Sequence, residues 1–159
     1  MAFGTGHHST TAGMAKMLLE ENLQDKSVID MGTGTGILAI LGKKIGAGKT
    51  TGIDIDEFAI ANAKENGEFN GEEIEWIVGD DKSLESLKPA DIFLANINLN
   101  VITENLEKYL AKLKPGGEIF LSGFLESDRG TIIETAEKMG LTPVMEKGAN
   151  GWIAMKLSN

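Results

Sequence analysis

One stretch, VIDMGTGTGILAI at residues 28–40, constrains the fold of this chain more than any other part of the sequence. A short apolar run ends in an acid, and glycines at every second position lead into a second apolar run. This is the order strand, tight loop, helix, and glycines in such a loop let the backbone come close to a nucleotide-like cofactor. The stretch therefore predicts the first strand of an α/β sheet, with a ligand site at its carboxyl end.

The rest of the chain alternates strand patterns with helical patterns. Strands are predicted at 27–31, 50–55, 73–78, 90–96, 118–122, 141–146 and 152–157, and helices at 9–22, 35–45, 56–66, 99–113 and 127–139. This order predicts an α/β fold, a mostly parallel seven-stranded sheet with helices on both faces. The last two strands have no helix between them, so one reversed strand is expected near the C-terminus. Turns are predicted at 114–117 and 148–151.

Composition excludes several classes of function. The 159 residues include no cysteine, which excludes disulfides, thiolate metal sites and a cysteine nucleophile. The two histidines, His7 and His8, are adjacent and cannot easily face one ion, so no metal site is predicted. No apolar run reaches the length of a membrane span and the N-terminus lacks a signal-peptide pattern, so a cytoplasmic protein is expected.

The charge balance bears on partners. The formal net charge is −9, and only Lys43 and Lys44 are adjacent cations, so a broad nucleic-acid footprint is not expected. An acidic protein attracts basic partners, such as a lysine-rich protein or a cationic cofactor. The alternative is that the acids only keep the protein soluble.

The glycine spacing leaves two cofactors open. The dinucleotide fingerprint fails when it is counted from Gly32, but counted from Gly34 it is met, with Asp54 twenty residues further on. Asp30 stands just before the glycines, where its carboxylate would repel a pyrophosphate and attract a sulfonium or ammonium group. A hydride-transfer enzyme also needs substrate-binding structure and an acid–base group, of which the chain offers little sign.

Three features occur in order: D-x-G-x-G-x-G, an acid at the end of the second strand, and Gly79-Asp80 after the third. This layout resembles that of the S-adenosylmethionine-dependent methyltransferases of the Rossmann-like class. More specific are AFGTGHHSTT before the first helix and LANIN at the end of the fourth strand. With DMGTGTGILAI, GIDID, LKPGG and LSGFLE, these make the chain similar to the PrmA-type enzymes. Those enzymes trimethylate amino groups on large-subunit ribosomal protein eleven.

The resemblance implies that Thr11, Gly32, Asp54 and Asn96 contact S-adenosylmethionine. Thr11 is expected to hold the cofactor carboxylate with nearby amides, and Asp54 to accept hydrogen bonds from both ribose hydroxyls. Asn96 is the predicted catalytic residue, because its carboxamide oxygen could orient the incoming neutral amine. In-line attack by a positioned amine needs no dedicated base.

Further cofactor contacts are expected. Asp30 would face the sulfonium or ammonium group, and Asp80 or Asp81 could accept from the adenine amino group. Backbone contacts are expected from Gly34 and Gly36. A flap over the cofactor is expected from four residues before the first helix: Phe3, Gly4, Thr5 and Gly6.

Members of the resembled family carry an N-terminal substrate-recognition domain before the AFGTG stretch, whereas this chain begins on that stretch. We therefore expect residues 1–159 to be the catalytic domain without the recognition domain, with the basic ribosomal protein as partner of the full-length enzyme. The alternatives are a fragment that binds S-adenosylmethionine without turnover and a methyltransferase for another protein or small-molecule amine. A base-methylating enzyme is disfavoured, since Asn96-Ile97-Asn98-Leu99 lacks an aromatic that would stack on a flipped base.

Overall fold

The computed structural model describes residues 6–159, and side chains from Thr10 onward. The helices are α1 Gly6–Leu19, α2 Ile37–Lys44, α3 Glu57–Phe69, α4 Leu99–Leu110 and α5 Arg129–Lys138. The strands are β1 Val28–Met31, β2 Thr50–Asp54, β3 Glu75–Val78, β4 Ala90–Asn96, β5 Leu113–Leu125, β6 Thr142–Ala149 and β7 Trp152–Ser158. Short 3₁₀ segments lie at Asp81–Ser86 and Glu126–Asp128.

The seven strands form one sheet in the order β3-β2-β1-β4-β5-β7-β6. The pairs from β3 through β5 are parallel. Strand β7 is antiparallel to both β5 and β6, so it is the single reversed strand. The predicted mostly parallel sheet with one reversed strand is confirmed. The strand order changes direction between β1 and β4, and at such a switch point a ligand crevice forms beyond the strands' carboxyl ends.

Side chains alternate between two apolar cores, one on each face of the sheet. On β4, Ile92 and Leu94 face a core with α1 and α2, which supply Met14, Met17, Leu18 and Leu38. Phe93 and Ala95 face the other core with α4 and α5, which supply Ile102, Leu106, Tyr109, Ile132 and Ala136. Helices therefore cover both faces, as predicted, and α3 packs against β2, β3 and α2.

Two helix starts follow from side-chain caps. Asp56 Oδ1 accepts a hydrogen bond from the Phe58 amide at 2.9 Å, which begins α3 as predicted. Asn98 Oδ1 accepts from the Val101 amide at 3.0 Å and begins α4. Each cap comes two residues after a parallel strand ends, so both helices start at the carboxyl-terminal edge of the sheet.

Several boundaries differ from the prediction, and three of the differences change the local structure. Helix α1 begins at Gly6 rather than at residue 9. Strand β5 begins at Leu113, and the predicted turn at 114–117 is a bulge, because the pairing jumps from Ala90–Leu113 to Ile92–Glu118. The turn between β6 and β7 has two residues rather than four.

Asn150 and Gly151 form that turn, with φ of 55° and 82°. Left-handed conformation at both positions matches the right-handed twist of a tight hairpin, and Asn-Gly is the pair that tolerates it best. Pairing therefore extends to Ala149–Trp152.

Candidate functional site

A cavity of about 640 Å³ lies beyond the carboxyl ends of β1, β2, β3 and β4. Its size is within the range of small-molecule sites. The wall comes from the glycine loop, the β2–α3 turn, the segment after β3, and the start and inner face of α4. The residues that line it are Met31, Gly32, Gly34, Thr35, Asp54, Ile55, Asp56, Phe58, Ala59, Asn62, Gly79, Asp80, Asp81, Ile97, Asn98, Val101, Asn105 and Tyr109.

Asp54 at the end of β2 is held in one orientation by two backbone amides. Its Oδ2 accepts from the Gly34 amide at 2.9 Å, and its Oδ1 accepts from the Asp56 amide at 3.0 Å. Each carboxylate oxygen has a second lone-pair site, so both oxygens can still accept hydrogen bonds from a ligand. The oriented carboxylate can therefore accept hydrogen bonds from two adjacent hydroxyl groups of a ligand.

The glycine loop meets the cavity at Gly32 and Gly34, both in left-handed conformation with φ of 77° and 57°. A Cβ on Gly32 would lie 2.4 Å from Ile97 Cγ2, whereas a Cβ on Gly34 would meet nothing within 4 Å. Gly36 does not line the cavity. It lies behind the loop, where its Cβ would lie 2.7 Å from the Trp76 indole.

The cavity wall is acidic and apolar. Four aspartates line it (Asp54, Asp56, Asp80 and Asp81), and no lysine or arginine does so among the described residues. Two lining side chains, Ile55 and Phe58, are about three-quarters exposed. A wall of this kind suits a ligand with a cationic group and a flat apolar group, and it offers no cationic side chain to a pyrophosphate.

The two aspartates after β3 differ in environment. Asp80 is exposed, and its Oδ1 accepts from the Lys82 amide at 3.0 Å, which begins the 3₁₀ segment. Asp81 forms an ion pair with Lys108 of α4, and this contact holds the pKa of Asp81 below its ordinary value. Tyr109 is fully buried, and burial raises its pKa to about 12, so its hydroxyl stays protonated.

Asp30 is buried beneath the loop and does not line the cavity. The Thr33 hydroxyl donates to its Oδ2 at 2.7 Å, while its Oδ1 has no hydrogen-bond partner among the described residues. Burial raises its pKa to about 7, the Thr33 hydrogen bond opposes the rise, and the charge of Asp54 adds to it. If Asp30 makes the predicted contact with a cationic group, it does so from a buried position and through its Oδ1.

Asn96 at the end of β4 is also buried and is not in the cavity wall. Its Nδ2 donates to Thr11 Oγ1 at 3.0 Å, and its Oδ1 accepts from the Ser122 hydroxyl at 2.8 Å. The structure thus brings the predicted residues Thr11 and Asn96 together. Thr11 is the sixth residue of α1 rather than a residue of its first turn.

The predicted flap falls mostly outside the described residues, to which Phe3, Gly4 and Thr5 do not belong. Gly6 was expected in the flap but is the first residue of α1, because the helix starts earlier than its apolar pattern suggested. The sequence patterns did not predict that Ile55, Phe58 and the α4 residues line the cavity. For Ile55 the position between two aspartates could have indicated it, since an exposed apolar residue is unusual on a polar turn.

Two observations on the described residues concern metal binding and membrane-spanning helices. Within residues 6–159, no three His, Cys, Asp or Glu side chains come together in a way that could hold a metal ion. Across the same residues, every helix is too short or too polar to cross a lipid bilayer.

Comparison with known proteins adds the family context. The model of the family described as ribosomal protein L11 methyltransferase (PrmA) matches residues 1–159. A ribosomal protein L11 methyltransferase of Bacteroides fragilis is 46% identical over 157 residues, which cover 98% of this chain and 56% of that protein. One of Fusobacterium nucleatum is 38% identical over 157 residues, 97% of this chain and 50% of that protein. The chain thus spans about half the length of the curated relatives it matches.

Among solved structures, the crystal structure of ribosomal protein L11 methylase from Lactobacillus delbrueckii subsp. bulgaricus superposes with a TM-score of 0.90. The two sequences are 25% identical, and the match covers 100% of this chain and 81% of that chain. The predicted Rossmann-like methyltransferase fold is therefore confirmed.

Proposed function

The chain belongs to the ribosomal protein L11 methyltransferase (PrmA) family, and we propose that it transfers methyl groups from S-adenosylmethionine to amino groups of ribosomal protein L11. The relatives' names supply the acceptor protein, and lysine and α-amino groups are the proposed acceptors on it. The observation that carries the proposal is the Asp54 carboxylate, oriented by two amides at the wall of an acidic cavity.

The described residues fit S-adenosylmethionine better than a dinucleotide. Asp54 offers two carboxylate oxygens to the paired hydroxyls of a ribose, and Asp80, which also lines the cavity, offers an acceptor for an adenine amino group. Ile55 and Phe58 are apolar side chains that a purine ring would cover. Because four aspartates and no lysine or arginine of the described residues line the cavity, a pyrophosphate would be repelled there with no cationic side chain to offset it.

When bound, S-adenosylmethionine would supply a methyl group on a cationic sulfur, which an uncharged amine takes by in-line displacement. The residues of the chain position the two reactants and exclude water from them. The Asp54 carboxylate holds one end of the ligand, and the glycine loop brings backbone rather than side chains against it.

We propose that Asn96 orients the amine. Its carboxamide is fixed by Thr11 and Ser122, and it retains one N–H and one oxygen lone pair. The free lone pair could accept a hydrogen bond from the attacking amine, which would aim the nitrogen lone pair at the methyl carbon. The amine must lose a proton before it attacks, and water can carry that proton away.

The first test is calorimetric titration of the chain with S-adenosylmethionine, S-adenosylhomocysteine and NADH. We expect the first two to bind and NADH not to bind. Asp54→Ala should weaken binding at least about 100-fold, because two hydrogen bonds to a charged acceptor are lost. Glu57→Ala is the matched control, since it removes one exposed charge from the same turn without touching the wall.

Transfer is tested separately with labelled S-adenosylmethionine and purified ribosomal protein L11. Incorporation that Asn96→Ala abolishes, while S-adenosylhomocysteine binding persists, would support the proposed role of Asn96. Binding without transfer would limit the chain to holding the cofactor, and tight binding of NADH would overturn the proposal.

A further inference from the structure

The Trp76 indole lies in a slot formed by three glycines from three different elements. A Cβ on Gly52 would lie 2.5 Å from the indole, one on Gly36 would lie 2.7 Å away, and one on Gly67 would lie 3.3 Å away. The first two distances are shorter than the non-bonded contacts that Cβ atoms make in proteins. The slot, defined by Gly36, Gly52 and Gly67, therefore accepts the ring only because these residues have no side chain.

Each wall of the slot continues directly into the cavity wall. Gly36 ends the loop that begins at Gly32, Gly52 lies on β2 two residues before Asp54, and Gly67 belongs to α3. Strand β3 brings the ring there, because Trp76 is paired with Gly52 in the β2–β3 register. The indole thus packs against the end of the glycine loop and against β2, and it does not line the cavity.

A hydrogen bond next to the slot fixes the same loop. The Asn66 side-chain amide donates to the Thr35 carbonyl oxygen at 2.9 Å, joining α3 to the loop. Thr35 lines the cavity, and Asn66 is exposed and does not. A polar contact and an aromatic contact from neighbouring elements therefore hold the loop between Gly34 and Gly36.

We infer that Trp76 and Asn66 are positioning residues, which hold the glycine loop so that its amides and Asp54 meet the cofactor. This inference rests on the proposed function, because it deepens the account of the same cavity. Neither residue lines the cavity. Their contacts reduce the number of conformations that the loop adopts without ligand, and this lowers the free-energy cost of binding.

The test compares Asn66→Ala, Trp76→Phe and Trp76→Ala with wild type, by titration with S-adenosylhomocysteine well below each variant's unfolding temperature. Asn66→Ala should weaken binding about fivefold, since one hydrogen bond is lost. Thermal stability should change little, because the higher helix propensity of alanine offsets most of the cost of the lost hydrogen bond. Trp76→Ala should weaken binding about tenfold or more, with Trp76→Phe in between. Glu65→Ala, an exposed neighbour on α3, is the control.

Fluorescence gives a readout that a purely structural role would not move. The chain has two tryptophans, so Trp152→Phe leaves Trp76 as the sole indole emitter. Binding of S-adenosylhomocysteine should shift the emission of Trp152→Phe and leave that of Trp76→Phe unchanged, because Trp152 lies on β7, which four strands of the sheet separate from β3.

The outcomes separate the inference from the proposed function. If wild type binds no S-adenosylhomocysteine, the proposed function fails and the inference fails with it. If wild type binds and the affinities of Asn66→Ala and Trp76→Phe equal that of wild type, the inference alone is overturned. If Trp76→Ala does not fold, the other two variants still decide between the results.

Discussion

At the scale of the single residue, the carboxyl group of Asp30 is buried almost completely beneath the glycine loop. In the unfolded chain its pKa is near 4, and burial raises it to about 7 in the folded protein. Between these values the folded state keeps a proton that the unfolded state has lost. The contribution of Asp30 to stability is therefore present at low pH and is lost as the pH rises through about 7.

Asp30→Asn should remove this dependence. Relative to wild type, the variant should gain roughly 3 kcal/mol of unfolding free energy between pH 5 and pH 8. Urea unfolding of both proteins at several pH values measures the difference. Titrating groups that do not interact with Asp30, such as Glu118, whose pKa burial also raises, act equally in both proteins and cancel. Parallel stability curves would contradict this account of Asp30.

At the scale of the element, the end of β5 depends on one glycine. Gly123 has φ of 98°, and a Cβ there would lie 2.3 Å from the Ile97 carbonyl oxygen. The β5–β7 pairing shifts register at this residue, so the bulge brings β5 close to the backbone that follows β4. Ile97 also lines the cavity, which links this bulge to the site.

Gly123→Ala should lower the unfolding free energy by about 2 kcal/mol or more and weaken S-adenosylhomocysteine binding, because the Ile97 backbone must move. Gly130→Ala in the first turn of α5 is the opposite case. A Cβ there meets nothing within 4 Å, so the change should stabilise the protein by up to about 1 kcal/mol. Chemical unfolding of both variants checks the contrast, and equal effects would show that the bulge is not tightly packed.

Elements were predictable where the signal is local. Strand β4 and the start of α3 follow from an apolar run and from the Asp56 cap, and both were placed correctly. The early start of α1 and the bulge at 114–117 were not predicted, because packing and strand pairing decide them. In the site, spacing pointed to Asp54, whereas the contact of Trp76 with three glycines depends on strand register that sequence spacing does not encode.

At the scale of the whole molecule, an ion cluster joins the N-terminal helix region to the C-terminal strand. Lys156 of β7 pairs with Glu21, just after α1, and with Glu118 of β5 at 3.5 Å. All three side chains are largely buried, so removing the lysine leaves two carboxylates close together with no cation between them. The pKa of Glu118 is already raised by burial and by the charge of Glu21.

Lys156→Met should therefore lower the unfolding free energy by roughly 3 kcal/mol. The triple variant with Glu21→Gln and Glu118→Gln should recover much of that loss, since no unpaired charge remains buried. Urea unfolding near neutral pH measures both. A single variant as stable as wild type would mean that the two carboxylates reach water or take up protons without cost.

The place of β7 in the strand order has a consequence for synthesis on the ribosome. Strand β6 emerges before β7, yet β7 lies between β5 and β6, so β6 has no sheet partner until β7 has emerged. The sheet is completed by insertion of a late strand rather than by growth at an edge. Because that strand also carries Lys156, the ion pair between β7 and Glu21, just after α1, forms only after β7 has emerged.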